Sequence, residues 1–190
     1  MIIIIDNYDS FTYNLFQYVK QHYDDVSVMK NDNMDLLDLN LKKIKAIILS
    51  PGPGQPSDAG LMPQIIRKYY SRVPILGICL GHQSIIEVFG GSIINASEVC
   101  HGKVHQMKHL CNCIIFNNIN AIFKATRYHS LVSSDSIPDC LEITAVSVKN
   151  NEIMGIKHKE YPVFGLQFHP ESIETKYGIK IIENFINVIQ

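Results

Sequence analysis

The stretch VPILGICLGHQSIIEVF, residues 73–89, decides the fold. Val73 to Ile78 is a short apolar run that reads as a central strand, and Gln83 to Phe89 reads as a helix, so Cys79 falls on the connecting turn. Its neighbours two residues away are Gly77 and Gly81. A buried structural cysteine packs as a small hydrophobe and needs no glycine on either side. A nucleophile elbow does: its strained backbone leaves room for little but glycine at the flanks, and it lifts the side chain above the sheet. The N-terminus of the following helix favours a thiolate there and offers N–H groups to an oxyanion.

Working outward, Ile2 to Ile5, Val26 to Met29, Ala46 to Leu49 and Ile75 to Cys79 are continuous apolar runs, as expected of parallel strands covered on both faces. Amphipathic stretches from Phe11 to Gln21 and from Leu61 to Tyr70 separate them, which predicts right-handed βαβ units. After Gly90 and Gly91 the segments alternate: Ser92 to Asn95, Lys103 to Lys108, Cys111 to Phe116, Leu141 to Val148 and Glu152 to His158 read as shorter, antiparallel strands. An apolar stripe over Thr175 to Gln190 reads as a closing helix. The expectation is an α/β fold, doubly wound, with a mostly parallel central sheet flanked by helices and additional antiparallel strands in the C-terminal half. Residues 1–190 are expected to form one domain, since no linker, repeat or low-complexity tract divides them.

Composition narrows the function. A net charge of −1 and no long lysine or arginine run give nucleic acid or an anionic membrane little to attract. The opening MIIIID is far short of the roughly 20 apolar residues of a membrane span and lacks a basic region, so it reads as a first strand rather than a signal peptide. Five cysteines, an odd number, fit reduced thiols in the cytoplasm or in an organelle stroma such as a plastid's.

A thiol nucleophile needs a base. In GLQFHPES, residues 165–172, the strand Val163 to Phe168 carries His169 out at its C-terminal end, the edge where Cys79 also emerges and where open sheets bind ligands. Across an extended Pro170, His169 and Glu171 are two residues apart and leave one face, so the carboxylate can hold one ring nitrogen while the other takes the thiol proton. Cys79, His169 and Glu171 thus form a candidate triad. His82 is too near Cys79 in sequence to reach it and is expected to cap or pack. The loop after the third strand, SPGPGQPSDAG from Ser50 to Gly60, lacks the lysine and serine or threonine of a phosphate loop. Pro51 to Gly54 instead make a stiff loop of minimal side chains, suited to pair a backbone N–H with that of Leu80 as an oxyanion hole.

SPGPG, GICLGHQ and QFHPES in this order resemble the class I, triad-type glutamine amidotransferases, and among them the small subunits of anthranilate synthase and aminodeoxychorismate synthase. DNYDSFTYN (residues 6–14), HGK (101–103), RYHSL (127–131), LEITA (141–145) and residues 153–172 extend the resemblance nearly end to end. It implies hydrolysis of L-glutamine to glutamate and ammonia through a cysteinyl thioester. Glutamine would be held by Gly52, Pro53, Gly54, Gln83, Ser130 and Leu131. No cofactor is implied. The partner would be a larger chorismate-binding synthase subunit that receives the ammonia, with Asp6, Asn7, Tyr8, Asp9, Ser10 and Phe11 at the facing edge.

The segment between HGK and RYHSL departs from the family pattern in having no glycine. His101, His105 and His109 recur there every four residues, with Cys111 and Cys113 after them, but Lys103, His105, Met107 and His109 alternate as on a strand, so no metal site is expected. A free-standing cysteine hydrolase of γ-glutamyl compounds would share the elbow and base but leave DNYDSFT without a role. A phosphorylated receiver module would need an aspartate where Ser50 ends the third strand.

Overall fold

A computed structural model describes residues 1–110 and 112–189. Its strands are β1 (Ile2–Asp6), β2 (Val26–Lys30), β3 (Ala46–Leu49), β4 (Ile75–Ile78), β5 (Ile93–His109), β6 (Ile122–Ser133), β7 (Leu141–Ser147), β8 (Ile153–His158) and β9 (Val163–Leu166). The helices are α1 (Thr12–Lys20), α2 (Met62–Tyr69), α3 (Leu80–Val88) and α4 (Gly178–Ile186). All nine strands share one sheet in the order β2-β1-β3-β4-β9-β8-β7-β5-β6. The first five in that order pair in parallel; every pairing from β9 through β8, β7 and β5 to β6 is antiparallel.

Alternation along β1 explains the two helical layers. Ile2 and Ile4 face a cluster with Leu15 and Val19 of α1 and Ile181, Ile182 and Phe185 of α4. Ile3 and Ile5 face the other way, onto Met62, Ile65 and Ile66 of α2 and Ile85 and Ile86 of α3. All four isoleucines are fully buried, and each contributes about 1.5–3 kcal/mol by leaving water. α3 sits unusually close to the sheet, because Gly77 of β4 pairs across the ladder with Gly165 of β9. A Cβ on Gly77 would meet Gly81 backbone atoms at 2.5 Å, and one on Gly165 would meet His82 Nδ1 at 2.7 Å.

Several segments differ from their sequence reading, and β6, a strand of 12 residues, is not anticipated by it at all. Ser92 to Asn95 and Lys103 to Lys108 are parts of one long strand, β5, whose register against β6 shifts between Asn95 and Cys100 and again between His101 and Lys103. The expected strand over Cys111 to Phe116 is absent among the described residues. Ile114–Phe116 form a single 3-10 turn whose Ile115 carbonyl accepts from Asn184 Nδ2 at 3.1 Å, while Cys111 lies outside the described residues. The last helix starts at Gly178, not at Thr175, because the Thr175 hydroxyl is drawn away to donate to the His169 carbonyl at 2.6 Å. Gln190 lies outside the described residues. No helix among those described is long and apolar enough to cross a membrane.

Candidate active site

The C-terminal ends of β1, β3, β4 and β9 are adjacent along one edge, and the loops leaving them build the site. At the end of β4, Cys79 adopts φ 50° and ψ −99°, a conformation that L residues avoid and that only over-determined surroundings maintain. Its N–H is fixed to Leu166 O of β9 at 2.8 Å, and its carbonyl accepts from Gln83 N at 3.0 Å as α3 begins. Gly81 is required by the same turn: a Cβ there would lie 2.7 Å from Leu49 Cβ and O. The first N–H groups of α3, Leu80 among them, have no acceptor one turn earlier and open onto the elbow.

His169 continues from β9 and is pinned to β6. Its N–H donates to Thr126 O at 3.0 Å, and its carbonyl accepts from Thr175 Oγ1 at 2.6 Å. Nδ1 lies 2.6 Å from Glu171 Oε1, and since an ionised carboxylate only accepts, Nδ1 carries the proton. Nε2 is buried. It belongs to the side of the ring that faces Cys79, whose thiol is close enough to bear on the imidazole's charge. Burial opposes a charged ring, but the Glu171 carboxylate outweighs it, with Cys79 adding, and holds His169 well above the ordinary histidine value. The chain beyond His169 is a turn closed by Ser172 N on His169 O at 3.3 Å, not the extended segment the sequence suggested. Glu171 reaches the ring regardless.

A cavity of about 240 Å³ opens on Cys79. Gly52, Pro53, Gly54, Gln83, Ser130 and Leu131, the residues the resemblance assigns to glutamine, all line it, joined by Val99, Cys100, His101, Tyr128 and His129. Leu80 does not line it with its side chain, which packs beneath the glycine loop: a Cβ on Gly52 would meet Leu80 Cδ2 at 2.8 Å and Asn7 Cβ at 2.6 Å. Both amide hydrogens of Gln83 are spent within the wall, on Leu131 O at 3.0 Å and Gln167 Oε1 at 3.1 Å, so only its oxygen remains to meet a ligand. Gln167 itself, which the sequence reading passed over, places Nε2 3.6 Å from Cys79 Sγ. Its signal was positional: the strand read over Val163 to Phe168 puts it two residues before His169 and on the same face, although β9 itself ends at Leu166.

The cavity wall on β6 is held by a buried polar chain. Arg127 donates to His129 Nε2 at 3.0 Å and to the Glu152 carboxylate, and His129 Nδ1 in turn donates to Leu131 O at 2.9 Å. Burial, reinforced by Arg127, pushes His129 down to about 3, so it is neutral and can accept from the guanidinium. His82, wholly buried against Gly165, is likewise pushed down to about 3 by burial. Side-chain donor atoms of Glu98, Cys100 and His105 lie within 4.8 Å of one another, but the cations Lys149 and Lys103 already hold Glu98, and Arg127 lies 3.0 Å from His105 Nδ1.

A second cavity, lined by Asp9, Ser10, Phe11, Pro51, Cys79 and His169 among others, approaches the sulfur from the loop after β1. That loop divides. Asp6 and Asn7, read from sequence as part of a facing edge, are buried and turned inward: Asp6 binds Lys30 Nζ at 2.6 Å and Thr12 Oγ1 at 2.9 Å, and Asn7 binds Ser50 through its backbone N–H at 2.9 Å and its side chain at 2.8 Å. Tyr8, 58% exposed with φ 59°, and Ser10 form the outer surface.

A family model described as Glutamine amidotransferase class-I matches residues 3–188. Anthranilate synthase component 2 of Lactococcus lactis is 50% identical, with 100% of this chain and 95% of that one covered. Aminodeoxychorismate synthase component 2 of Escherichia coli is 45% identical over 98% of this chain and 100% of the relative. The bifunctional protein TrpGD of Thermotoga maritima is 46% identical over 98% of this chain, which spans only 32% of that longer protein. Among solved structures, a putative GMP synthase component from Thermoplasma acidophilum superposes with a TM-score of 0.88 at 26% identity, covering 99% of this chain and 92% of that one.

Proposed function

The chain belongs to the class-I glutamine amidotransferase family, and from that premise we propose that residues 1–190 act as one glutaminase domain feeding ammonia to a chorismate-binding synthase. The observation that carries this reading is the strained Cys79 turn beside an imidazole whose far nitrogen is held 2.6 Å from a buried carboxylate.

An imidazolium beside the sulfur favours a thiolate, which attacks the side-chain amide carbon of L-glutamine. The carbonyl oxygen becomes an oxyanion, received by the Leu80 N–H and by the loop from Pro51 to Gly54, each donor stabilising it by about 3–4 kcal/mol. His169 then gives its proton to the amide nitrogen, the C–N bond breaks, and ammonia leaves behind a thioester. Neutral His169 next takes a proton from water, the hydroxide attacks the thioester carbon, and the departing thiolate and imidazolium are restored with glutamate as product. Gly52, Pro53, Gly54, Ser130 and Leu131 hold the amino-acid portion, with Gln83 Oε1 accepting from its ammonium.

Ammonia leaves by the second cavity, toward the loop from Tyr8 to Phe11, where a larger synthase subunit docks. Exposed Tyr8, Tyr13 and Ile173, the last 90% exposed, support a docking face there. The two full-length relatives named as component 2 of anthranilate or aminodeoxychorismate synthase support the partner's chemistry. A glutamine-mimicking diazo-ketone incubated with the protein is expected to label Cys79 alone. Peptide mass mapping that places the label on Cys100, Cys111, Cys113 or Cys140 removes the nucleophile assignment.

A further inference from the structure

The amides around Cys79 are oriented by logic that needs no choice between oxygen and nitrogen. A backbone carbonyl only accepts, so Leu131 O, 3.0 Å from Gln83, fixes the NH2 end of the Gln83 side chain toward itself. The second N–H of that same group points at Gln167, 3.1 Å away, so Gln167 must answer with its oxygen. A planar amide has two ends, and the NH2 end of Gln167 is thereby turned to Cys79 Sγ at 3.6 Å. Gln167 is fully buried, which removes water as a competing partner. The sulfur's other neutral neighbour, Tyr128 O at 3.9 Å, is an acceptor and repels an anion.

We propose that Gln167 is a catalytic residue, a fixed neutral donor that stabilises the Cys79 thiolate before attack and again as the sulfur leaves the thioester. The proposal rests on the reading of Cys79 as nucleophile. His169 supplies charge and a mobile proton; Gln167 supplies an N–H that stays in place through both half-reactions. Hydrogen bonds to ionised groups are stronger than neutral ones, and losing such a donor in a dry site is not made good by solvent. Gln83 is the positioning residue of this pair, so the wall that binds substrate and the donor on the sulfur are set by one chain of amides.

The test compares wild type with Gln167→Leu and Gln167→Glu in the full chain, reading iodoacetamide labelling of Cys79 against pH and steady-state glutamine hydrolysis. Gln167→Leu is expected to move the midpoint of the labelling curve upward by about one pH unit and to lower kcat about ten- to a hundredfold, with KM for glutamine within about twofold. Gln167→Glu keeps the shape but presents an acceptor, and is expected to move the midpoint at least as far. An unmoved midpoint with kcat within about twofold, in a variant whose circular dichroism and melting match wild type, overturns the proposal. If Gln167→Leu does not fold, the near-isosteric Gln167→Glu decides by the same midpoint. Cys79→Ser is the separate control: if it still hydrolyses glutamine, the nucleophile reading itself falls, whatever Gln167 does.

Discussion

Acid should unfold this protein earlier than its carboxylates alone would dictate, because two histidines are buried neutral. His82 and His129 are each pushed to about 3 by burial, against an ordinary value of 6.5. Between those values the unfolded chain binds protons that the folded chain refuses, so stability falls as pH falls below 6.5. At pH 5 the difference is about 1.5 units per residue, or about 2 kcal/mol each at 1.36 kcal/mol per unit, and about 4 kcal/mol for the pair. That is a large share of the roughly 5–15 kcal/mol available to a domain. His169 offsets part of this loss: its folded value is raised, so its contribution is complete below 6.5 but only partial at pH 7.5, and it grows as pH falls between the two. The ion-paired Asp6, Glu98 and Glu152 are held below their ordinary values of 3.8, 4.5 and 4.5, and their contributions fade mainly at more acid pH still. Urea unfolding followed by far-ultraviolet circular dichroism at pH 7.5 and 5.0 measures the loss directly. Wild type is expected to lose somewhat less than about 4 kcal/mol, since His169 works against the loss, and His82→Leu to lose about 2 kcal/mol less than wild type. Equal stability at both pH values, or an undiminished loss in His82→Leu, would refute the burial argument.

Two further outcomes follow from the site. Glu171→Gln keeps the size of the side chain but removes the charge on His169, and turnover measured by ammonia release is expected to fall about 10²- to 10⁴-fold with little change in KM; near-normal turnover defeats the triad. Gly81→Ala forces a Cβ to within 2.7 Å of Leu49, and overpacking of this kind costs about 1–3 kcal/mol, visible as a lower melting temperature. A melting temperature equal to wild type would show that the elbow has slack enough to absorb a methyl group.

Much of this was legible locally. The isoleucine runs announced strands covered on both faces, and Gly77 and Gly81 announced a turn whose reason is the 2.5 Å and 2.7 Å approaches of neighbouring backbone. His169 and Glu171 were found by spacing, although the segment between them proved to be a turn. What escaped depends on partners distant in sequence. Thr175 heads the stretch that reads as a helix, yet its hydroxyl serves His169; Ile115 sits in an apolar run, yet its carbonyl is taken by Asn184, 69 residues on. Gln167 looked like the polar end of a strand until Gln83, 84 residues earlier, fixed which way its amide faces. Asp6 and Asn7 were placed at the facing edge by the resemblance alone, whereas Lys30 and Ser50 draw them inward.

The strand β6 touches both halves of the proposed chemistry: Thr126 anchors His169, the proposed base, and the stretch from Tyr128 to Leu131 lines the cavity proposed for glutamine. Since side chains on a strand change faces at every residue, a single-residue insertion between Thr126 and Leu131 would put these two tasks out of phase. Affinity and turnover are therefore geared together along this short span, and the chain has no freedom to tune one by lengthening it without dragging the other.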